Sequence, residues 1–475
     1  MRAGRRQLET YLRTQHEGVK SFDQVVERDS EYWNEHLSKS QRTKGVVVRK
    51  RHALPELLPG LEAIYDIKVG LPGRPDDAVY LESPYARRWL PRGNCIAKWK
   101  RQNTTYFFPL VRGYKKFTGQ EDGAELNKHK ESAEGELSKF FIKPRAQSRW
   151  MISTTKENGE AGHLAVLKRS DGKFIYVLGS KNTHLLAQNV EDVDRARMQE
   201  RSDNSDPFVA AAPIATAILR LLFALKPADR TLLCEFLWQT RATASFEVLC
   251  PSHQHVQLHE NIVEDTPVFY GLSVMTLEVA AGAEICVNPV LLYEFMRALG
   301  IRTVSNDIKK FDADVFANML ERSTRAYRQE GSVYLFLDDK ADVIGMEKCK
   351  SLWYVCLRAI REKAKALCRA IRLADDVSCR VRKLDEAKES MRKRFRAISG
   401  YMRISDEVSN QYNALGTRFL EYVVEKELAC GPAPQTDQAT QEKCKVVARE
   451  VADLFPVVWK RFLDHTKLND AIGRQ

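Results

Sequence analysis

The spacing of apolar positions changes several times along the chain, and each change marks a boundary. Up to residue 53 the texture is charged and helix-compatible, a basic N-terminal extension closing on KGVVVRKRH at 44–52. From Leu54 short apolar runs alternate with Pro55, Pro59, Gly60, Gly70, Pro72 and Gly73, the punctuation of strands and tight connections. NCIAKWK (94–100) and TTYFFPLV (104–111) predict strands, and the polar stretch 119–138 predicts an exposed loop or short helix. SRWMISTTK, HLAVLKR and KFIYVLGSK predict three more strands, joined by ENGEAG and SDG turns. The charged run NVEDVDRARMQERSDNSD reads as solvent-exposed, and PIATAILRLLFALKPADRTLLCEFL as one amphipathic helix. SFEVL, VQLH, PVFYGLSVM and GSVYLFL return to strand patterning around a helical VLLYEFMRALG.

Near Lys350 the period becomes helical and stays so. Leu352, Val355, Cys356, Ala359 and Ile360 are spaced for one helix face, and further helices are expected at about 405–430 and 440–465, divided by ACGPAPQTD. The pattern gives a mixed body over 54–365 and an all-helical module over 366–475, with no internal repeat.

Composition refines this picture without overturning it. With 475 residues, 44% hydrophobic and 29% charged, the chain is of the globular class. Its net charge of +12 favours a polyanionic partner, most simply RNA or DNA, although an anionic membrane surface would satisfy charge alone. The ten cysteines are scattered without a C-x-x-C pair, the usage of a reducing compartment. No signal-type apolar segment opens the sequence and no apolar run reaches membrane-span length. A cytoplasmic or nuclear location without a membrane partner is expected.

Candidate chemistry centres on STTKENGEAG, where Lys156 stands at a tight turn after an apolar run. Alone it reads as an ordinary turn charge. It stands in a series, however: Arg92-Gly93, RGYKKF at 112–117, Lys156-Glu157-Asn158-Gly159, Gly179-Ser180-Lys181, Phe246-Glu247, Glu330-Gly331 and Lys348-Cys349-Lys350. Lysines two apart on a strand share a face, which is usually solvent. Glu247 says more, because a carboxylate embedded in apolar SFEVL needs a partner or a metal.

In this order the series resembles the motifs of the covalent nucleotidyltransferases: RNA ligases, DNA ligases and mRNA capping enzymes. Within that superfamily it is most similar to the branch of bacteriophage T4 RNA ligase 1 and of the adenylyltransferase domain of fungal tRNA ligase. The resemblance runs from about Arg92 to Arg358. It implies an α+β fold: an antiparallel-sheet nucleotidyltransferase domain, ATP-grasp-like, flanked by helices and followed by an all-helical C-terminal domain. It also implies ATP as the nucleotide, with Mg²⁺ or Mn²⁺ as cofactor.

Lys156 matches the nucleophile that attacks the α-phosphate of ATP and forms lysyl-AMP. A free amine is required, so the resemblance predicts a lowered Lys156 pKa, with the motif lysines and a divalent metal as the cause. Gly159 matches a turn that brings the backbone to the nucleotide, and Glu157 falls among the nucleotide-binding positions. Glu247 and Glu330 match carboxylates that contact ribose or hold metal. Lys348 and Lys350 match the grip on the α-phosphate, while Arg92, Lys116 and Lys181 match positions near the nucleotide and its phosphates.

The implied reaction continues with transfer of AMP to a 5′-phosphate RNA end, which a 3′-hydroxyl then attacks. An ATP-dependent RNA ligase for tRNA splicing or RNA repair is therefore expected, with tRNA halves or nicked RNA as partner. An mRNA guanylyltransferase using GTP is the enzymatic alternative, disfavoured because capping enzymes and DNA ligases continue into a small β-barrel where this chain turns helical. A catalytically silent RNA-binding relative is the other. Where the family reads Lys-Phe-Phe-Asn, this chain has Lys116-Phe117-Thr118-Gly119. No G-x-x-x-x-G-K-[ST] loop is present, and His36-Leu37-Ser38 stands alone as an H-x-T/S element. End-healing enzymes are thus expected in separate chains.

Three further features have plain readings. His253 and His255 share a strand face in PSHQHVQLH with only His259 as a third histidine nearby, so polar surface or RNA contact is expected there rather than a metal. Phe107, Phe108, Phe117, Phe140 and Phe141 read mostly as core, with one available to stack on adenine. The basic run at 380–396 is either a solvated face balanced by Asp385, Glu386 and Glu389 or an RNA-docking surface.

Overall fold

A computed structural model describes residues 22–119, 133–202, 205–275, 284–372, 377–427 and 438–473. Helices and three antiparallel sheets make up the body. The first sheet runs in chain order, β1 (Val46–Arg51), β2 (Leu61–Val69), β3 (Asn94–Arg101) and β4 (Thr104–Arg112). Helix α1 (Phe22–Arg42) lies against it, burying Trp33 and Leu37 among Ile67, Val69 and Ile96. The cluster at 46–51, expected to close a helical extension, is instead β1, paired with β2 from Val46↔Val69 to Arg51↔Ile64. Three successive valines explain this, since β-branched side chains are stiff in helices and fit the pleat. Two short helices, α2 (Asp76–Glu82) and α3 (Pro84–Trp89), connect β2 to β3.

The other two sheets carry the site. One has the order β10-β9-β6-β7-β8, with β6 (Glu160–Lys168), β7 (Phe174–Ser180), β8 (His184–Ala187), β9 (Ala242–Leu249) and β10 (Thr266–Val274). Its companion has the order β11-β5-β12-β13, with β5 (Trp150–Lys156), β11 (Asn306–Lys310), β12 (Gly331–Leu337) and β13 (Val343–Lys350). Strands β5 and β6 are consecutive yet lie in different sheets, so the turn at 157–159 passes from one to the other. Segment 302–305 ties the same two sheets together: Phe269 of β10 donates to Arg302 and Thr155 of β5 donates to Ser305 (N···O 2.8 and 3.0 Å).

Of the polar stretch 119–138, residues 120–132 lie outside the described residues and α4 (Ala133–Ser138) is a short helix. The run at 190–200 is helix α5 (Val190–Glu200), capped by Asn189 and burying Val193 and Ala196, so it is only half solvent-facing. The long amphipathic segment that follows divides into α6 (Ala211–Ala224) and α7 (Pro227–Thr240), with Lys226 extended between them. Proline disfavours α conformation in the residue before it and is well placed at the first helical position. The alanine-rich α6 packs on β6, β7 and β10. Helices α8 (Val290–Ala298) and α9 (Ala313–Thr324) complete the body.

VQLH, expected as a strand, belongs to a connection without regular structure between β9 and β10. Helices α10 (Leu352–Arg372), α11 (Val377–Met402), α12 (Asp406–Tyr422), α13 (Gln438–Asp453) and α14 (Phe455–Thr466) form the C-terminal part. They enclose their own apolar cluster, including Ile360, Phe395, Phe419 and Trp459. Among the described residues no helix is long and apolar enough to cross a membrane, and the cysteines there are free thiols.

Candidate active site

Strand register puts the chemistry on one face. Gly331 of β12 is paired on one side with Lys156 of β5 and on the other with Lys350 of β13. Two residues along, Val333 is flanked by Thr154 and Lys348. Directly paired residues share a face, and so do residues two apart. Lys156, Lys348 and Lys350 therefore project together from three strands far apart in sequence. The same face continues into the apolar core cluster that holds Ile152, Leu335 and Met346. Gly331 has φ +144°, and a Cβ there would lie 1.9 Å from the Cys349 carbonyl oxygen. Only glycine fits at the centre of this row.

Above this face opens a cavity of about 900 Å³. All ten residues singled out from the sequence line it: Arg92, Lys116, Lys156, Glu157, Gly159, Lys181, Glu247, Glu330, Lys348 and Lys350. The sequence series is thus gathered into one place. Of the five phenylalanines, Phe117 lines the cavity, beside Tyr270 and Val333, whereas Phe108 and Phe140 are buried in cores.

At the end of β5, Lys156 Nζ is ion-paired with Glu330 Oε1. Glu330 Oε2 accepts from Asn158 Nδ2 at 2.7 Å, and Glu247 Oε1 accepts from the Gly159 amide at 3.1 Å. Burial opposes the Lys156 charge, but Glu330 and Glu247 outweigh it and hold the ammonium well above the usual lysine range. The motif lysines by themselves therefore do not supply the expected lowering: carboxylates adjoin the amine, and Lys350 stands across β12 from it. Glu247 responds the other way: packed deep and open only toward the cavity, its carboxyl is raised to about 7 by burial, against the pull of Lys156 and with the push of Glu330.

Burial depresses Lys115, Lys116 and Lys181 along the cavity. At Lys116 burial, with Lys348 and Arg92 adding to it, lowers the pKa to about 7. Lys116 Nζ is ion-paired with Asp77 and donates to the Phe117 carbonyl at 2.7 Å. Arg92 is paired with Asp76, whose other cation is Lys181 at 3.2 Å. Burial works against the Asp76 charge, yet Arg92 and Lys181 hold it below the usual carboxylate range. Thr118, at the departure from the family pattern, hydrogen-bonds Asp77 and accepts at its carbonyl from the Lys348 amide (3.3 and 3.1 Å).

Asp76 and Asp77 were not foreseen from the sequence. Their signal is a pair of acidic residues opening a helix directly after Pro75, at the positive end of the helix dipole. Arg358 and Arg361 were also missed. They stand four and seven residues after Tyr354 on α10, so all three face the cavity together. His163 was missed because it is an interior residue of β6; it lines the cavity with its ring tilted at 37° to that of His184.

Gly159 has a reason different from the one expected. A Cβ there would fall 2.3 Å from the Val248 carbonyl oxygen, so glycine lets the turn press on β9 and present its amide to Glu247. Gly159→Ala is expected to cost about 2 kcal/mol of stability, the scale of overpacking against backbone. Urea denaturation checks this; an unchanged midpoint would mean that β9 moves freely. Asn158 is the buried knot of the same turn, since its Oδ1 accepts from the amides of Val256 and Gln257 at 3.1 and 3.0 Å.

A family described as a domain of unknown function (DUF7920) matches residues 146–361, less than half of the chain. No curated protein sequence matches. Among solved structures, an archaeal ATP-dependent RNA ligase (form 1) is similar at 11% identity and TM-score 0.42, over 90% of this chain and 88% of that one. The form 2 structure is similar at 13% identity and TM-score 0.39, over 79% and 86%. An RNA ligase of Naegleria gruberi with PPi is similar at 11% identity and TM-score 0.30, over 66% and 98%.

Proposed function

We propose that the chain is an ATP-dependent RNA ligase acting through a Lys156–AMP intermediate. The observation that carries this reading is the cross-strand row: a half-buried lysine amine clasped by a glutamate, with two further lysines on its own sheet face, under a cavity lined by Arg92, Lys116 and Lys181. Such a face suits attack on a phosphoanhydride. Lys156 Nζ forms a bond to the α-phosphorus, the bond from that phosphorus to the bridging oxygen breaks, and pyrophosphate leaves. Lys348 and Lys350 stand where charge accumulates on the α-phosphate, and Arg92, Lys116 and Lys181 receive the rest of the triphosphate.

The ion pair aims the amine but also keeps it protonated. Its proton must go before attack, and Glu330 is the group in contact that can take it. Glu247 and Glu330 fit a divalent cation such as Mg²⁺ or Mn²⁺: two carboxylates face one ammonium, so one negative charge is left without a cation of its own. Bound there, the cation would neutralise phosphate charge and weaken the hold of these carboxylates on the lysine proton.

RNA as second substrate is supported by the +12 charge and by Arg358, an exposed residue of the cavity lining. On α11, Arg392, Lys393 and Arg396 are exposed, but Arg392 and Lys393 are paired with Glu389, so a charge-balanced surface accounts for part of that run. The passage from β13 directly into α10 favours a ligase of RNA over the β-barrel-bearing capping enzymes.

The test is incubation with Mg²⁺ and α-phosphate-labelled ATP or GTP, followed by denaturing electrophoresis. Label from ATP that survives denaturation, and then passes to 5′-phosphate RNA, is expected. Label from GTP alone would move the chain to the capping class. With protein free of pre-bound AMP, no label from either would leave a silent relative.

A further inference from the structure

We propose that Glu160, His253 and His255 form a binding site for a zinc-class divalent metal ion at the mouth of the cavity, separate from the Glu247–Glu330 pair. The inference does not rest on the ligase reading.

Glu160 opens β6 just beyond the nucleophile turn, and the two histidines lie in the connection after β9. The structure supplies the third ligand that the local sequence lacks. Glu160 Oε1 is 2.9 Å from His255 Nε2 and 3.3 Å from His253 Nε2. All three donor atoms lie within 4.8 Å of one another. Zinc–nitrogen and zinc–oxygen bonds of 2.0–2.1 Å at tetrahedral angles set neighbouring ligand atoms about 3.3 Å apart. The observed contacts need only small adjustments to meet that. The two imidazole rings stand at 85° with centroids 5.2 Å apart, so they converge on the carboxylate edge instead of stacking.

A second observation points the same way. His253 turns its other nitrogen, Nδ1, toward Asp453 Oδ1 at 3.4 Å, at the end of α13. A metal-bound histidine commonly gives its remaining N–H to a carboxylate, which fixes the ring and strengthens it as a ligand. The arrangement is also held by bonds independent of the three ligands. Gln254 N donates to the Asp453 carbonyl at 2.6 Å, and His253 N to the Cys250 carbonyl at 3.1 Å. Asn158 fixes the following two amides from the side of the nucleophile turn.

Access fits an exchangeable ion with an open coordination position. The side chains of His253, Glu160 and His255 are 40%, 38% and 24% exposed. Two imidazoles and one carboxylate form the mixed nitrogen–oxygen set that suits zinc, whereas Mg²⁺ prefers oxygen alone. An ion here would join the nucleophile turn to the β9–β10 connection and, through Asp453, to the C-terminal helices.

The test uses the full chain, stripped with chelator and free of nucleotide. Zn²⁺ is titrated by calorimetry, and Co²⁺ is followed by its visible spectrum. One saturable ion per chain is expected, with the intense bands of four-coordinate Co²⁺ and a raised Tm. His253→Ala/His255→Ala should weaken binding at least about a hundredfold, and Asp453→Asn by roughly ten- to a hundredfold, while His52→Ala leaves it unchanged. Absence of saturable binding to the wild-type chain would overturn the proposal whether or not the variants fold. Undiminished binding to a folded double variant would overturn it too.

Discussion

Lys156→Ala should retain no nucleotide label after denaturation, a loss of at least about a thousandfold, the scale on which deleting a covalent nucleophile acts. The substitution also removes the ammonium that faces Glu330 and Glu247. Breaking a buried pair on one side typically costs about 3–5 kcal/mol, so the folded variant should unfold at lower urea than wild type. Lys156→Arg separates the two effects. It restores a cation to the carboxylates and should recover much of the stability, yet a guanidinium that stays protonated does not attack phosphorus. Labelled gels and denaturation curves on the same preparations check both. Wild-type labelling in either variant would remove Lys156 from the reaction.

Glu247→Gln should make the metal-free chain more stable and inactive at once. The Glu247 carboxyl is raised from 4.5 to about 7. Between those values the folded chain holds a proton that the unfolded chain has released, so stability falls as pH rises through this window and levels off above it. Glutamine carries no charge at any pH and still offers an oxygen to the Gly159 amide. Its advantage should be small near pH 4.5, grow to about pH 7, and reach at most about 3 kcal/mol, taking 1.36 kcal/mol per unit. Thermal melts in chelator from pH 5 to 8 measure it. Activity should fall because the carboxylate that suits metal and ribose is gone. A variant less stable than wild type at pH 8 would show that Glu247 is ionised and well paired.

Much of this site was legible before any coordinates, because its residues sit in short runs whose order is itself a pattern. Lys156, Glu247, Glu330, Lys348 and Lys350 each come from a strand or strand end, and strands declare themselves through alternation. What escaped depends on which distant segments meet. Asp76 and Asp77 look like any acidic helix start until Arg92, Lys116 and Lys181 converge on them. The hold of the carboxylates on Lys156 escaped for the same reason: the motif supplies cations and carboxylates alike, and only distance decides which neighbour governs the amine. His253 and His255 seemed to lack a partner because Glu160 lies more than ninety residues upstream. Segment 46–51 was misassigned through its charges, although its valines already favoured a strand.

The Asp76 and Asp77 contacts have one more consequence. A row of lysines and arginines in a cleft suggests a standing positive potential that draws in any polyphosphate. Here Arg92, Lys181 and Lys116 already have anions of the protein's own opposite them, set at the start of α2. An arriving triphosphate would thus take part in an exchange, one anion replacing another, rather than fill an attractive void. Such a cleft discriminates by fit: inorganic phosphate or a stray nucleic-acid backbone gains little by entering, and a ligand that displaces both aspartates while packing on the cavity's apolar lining at Val333 and Leu335 gains more than it disrupts.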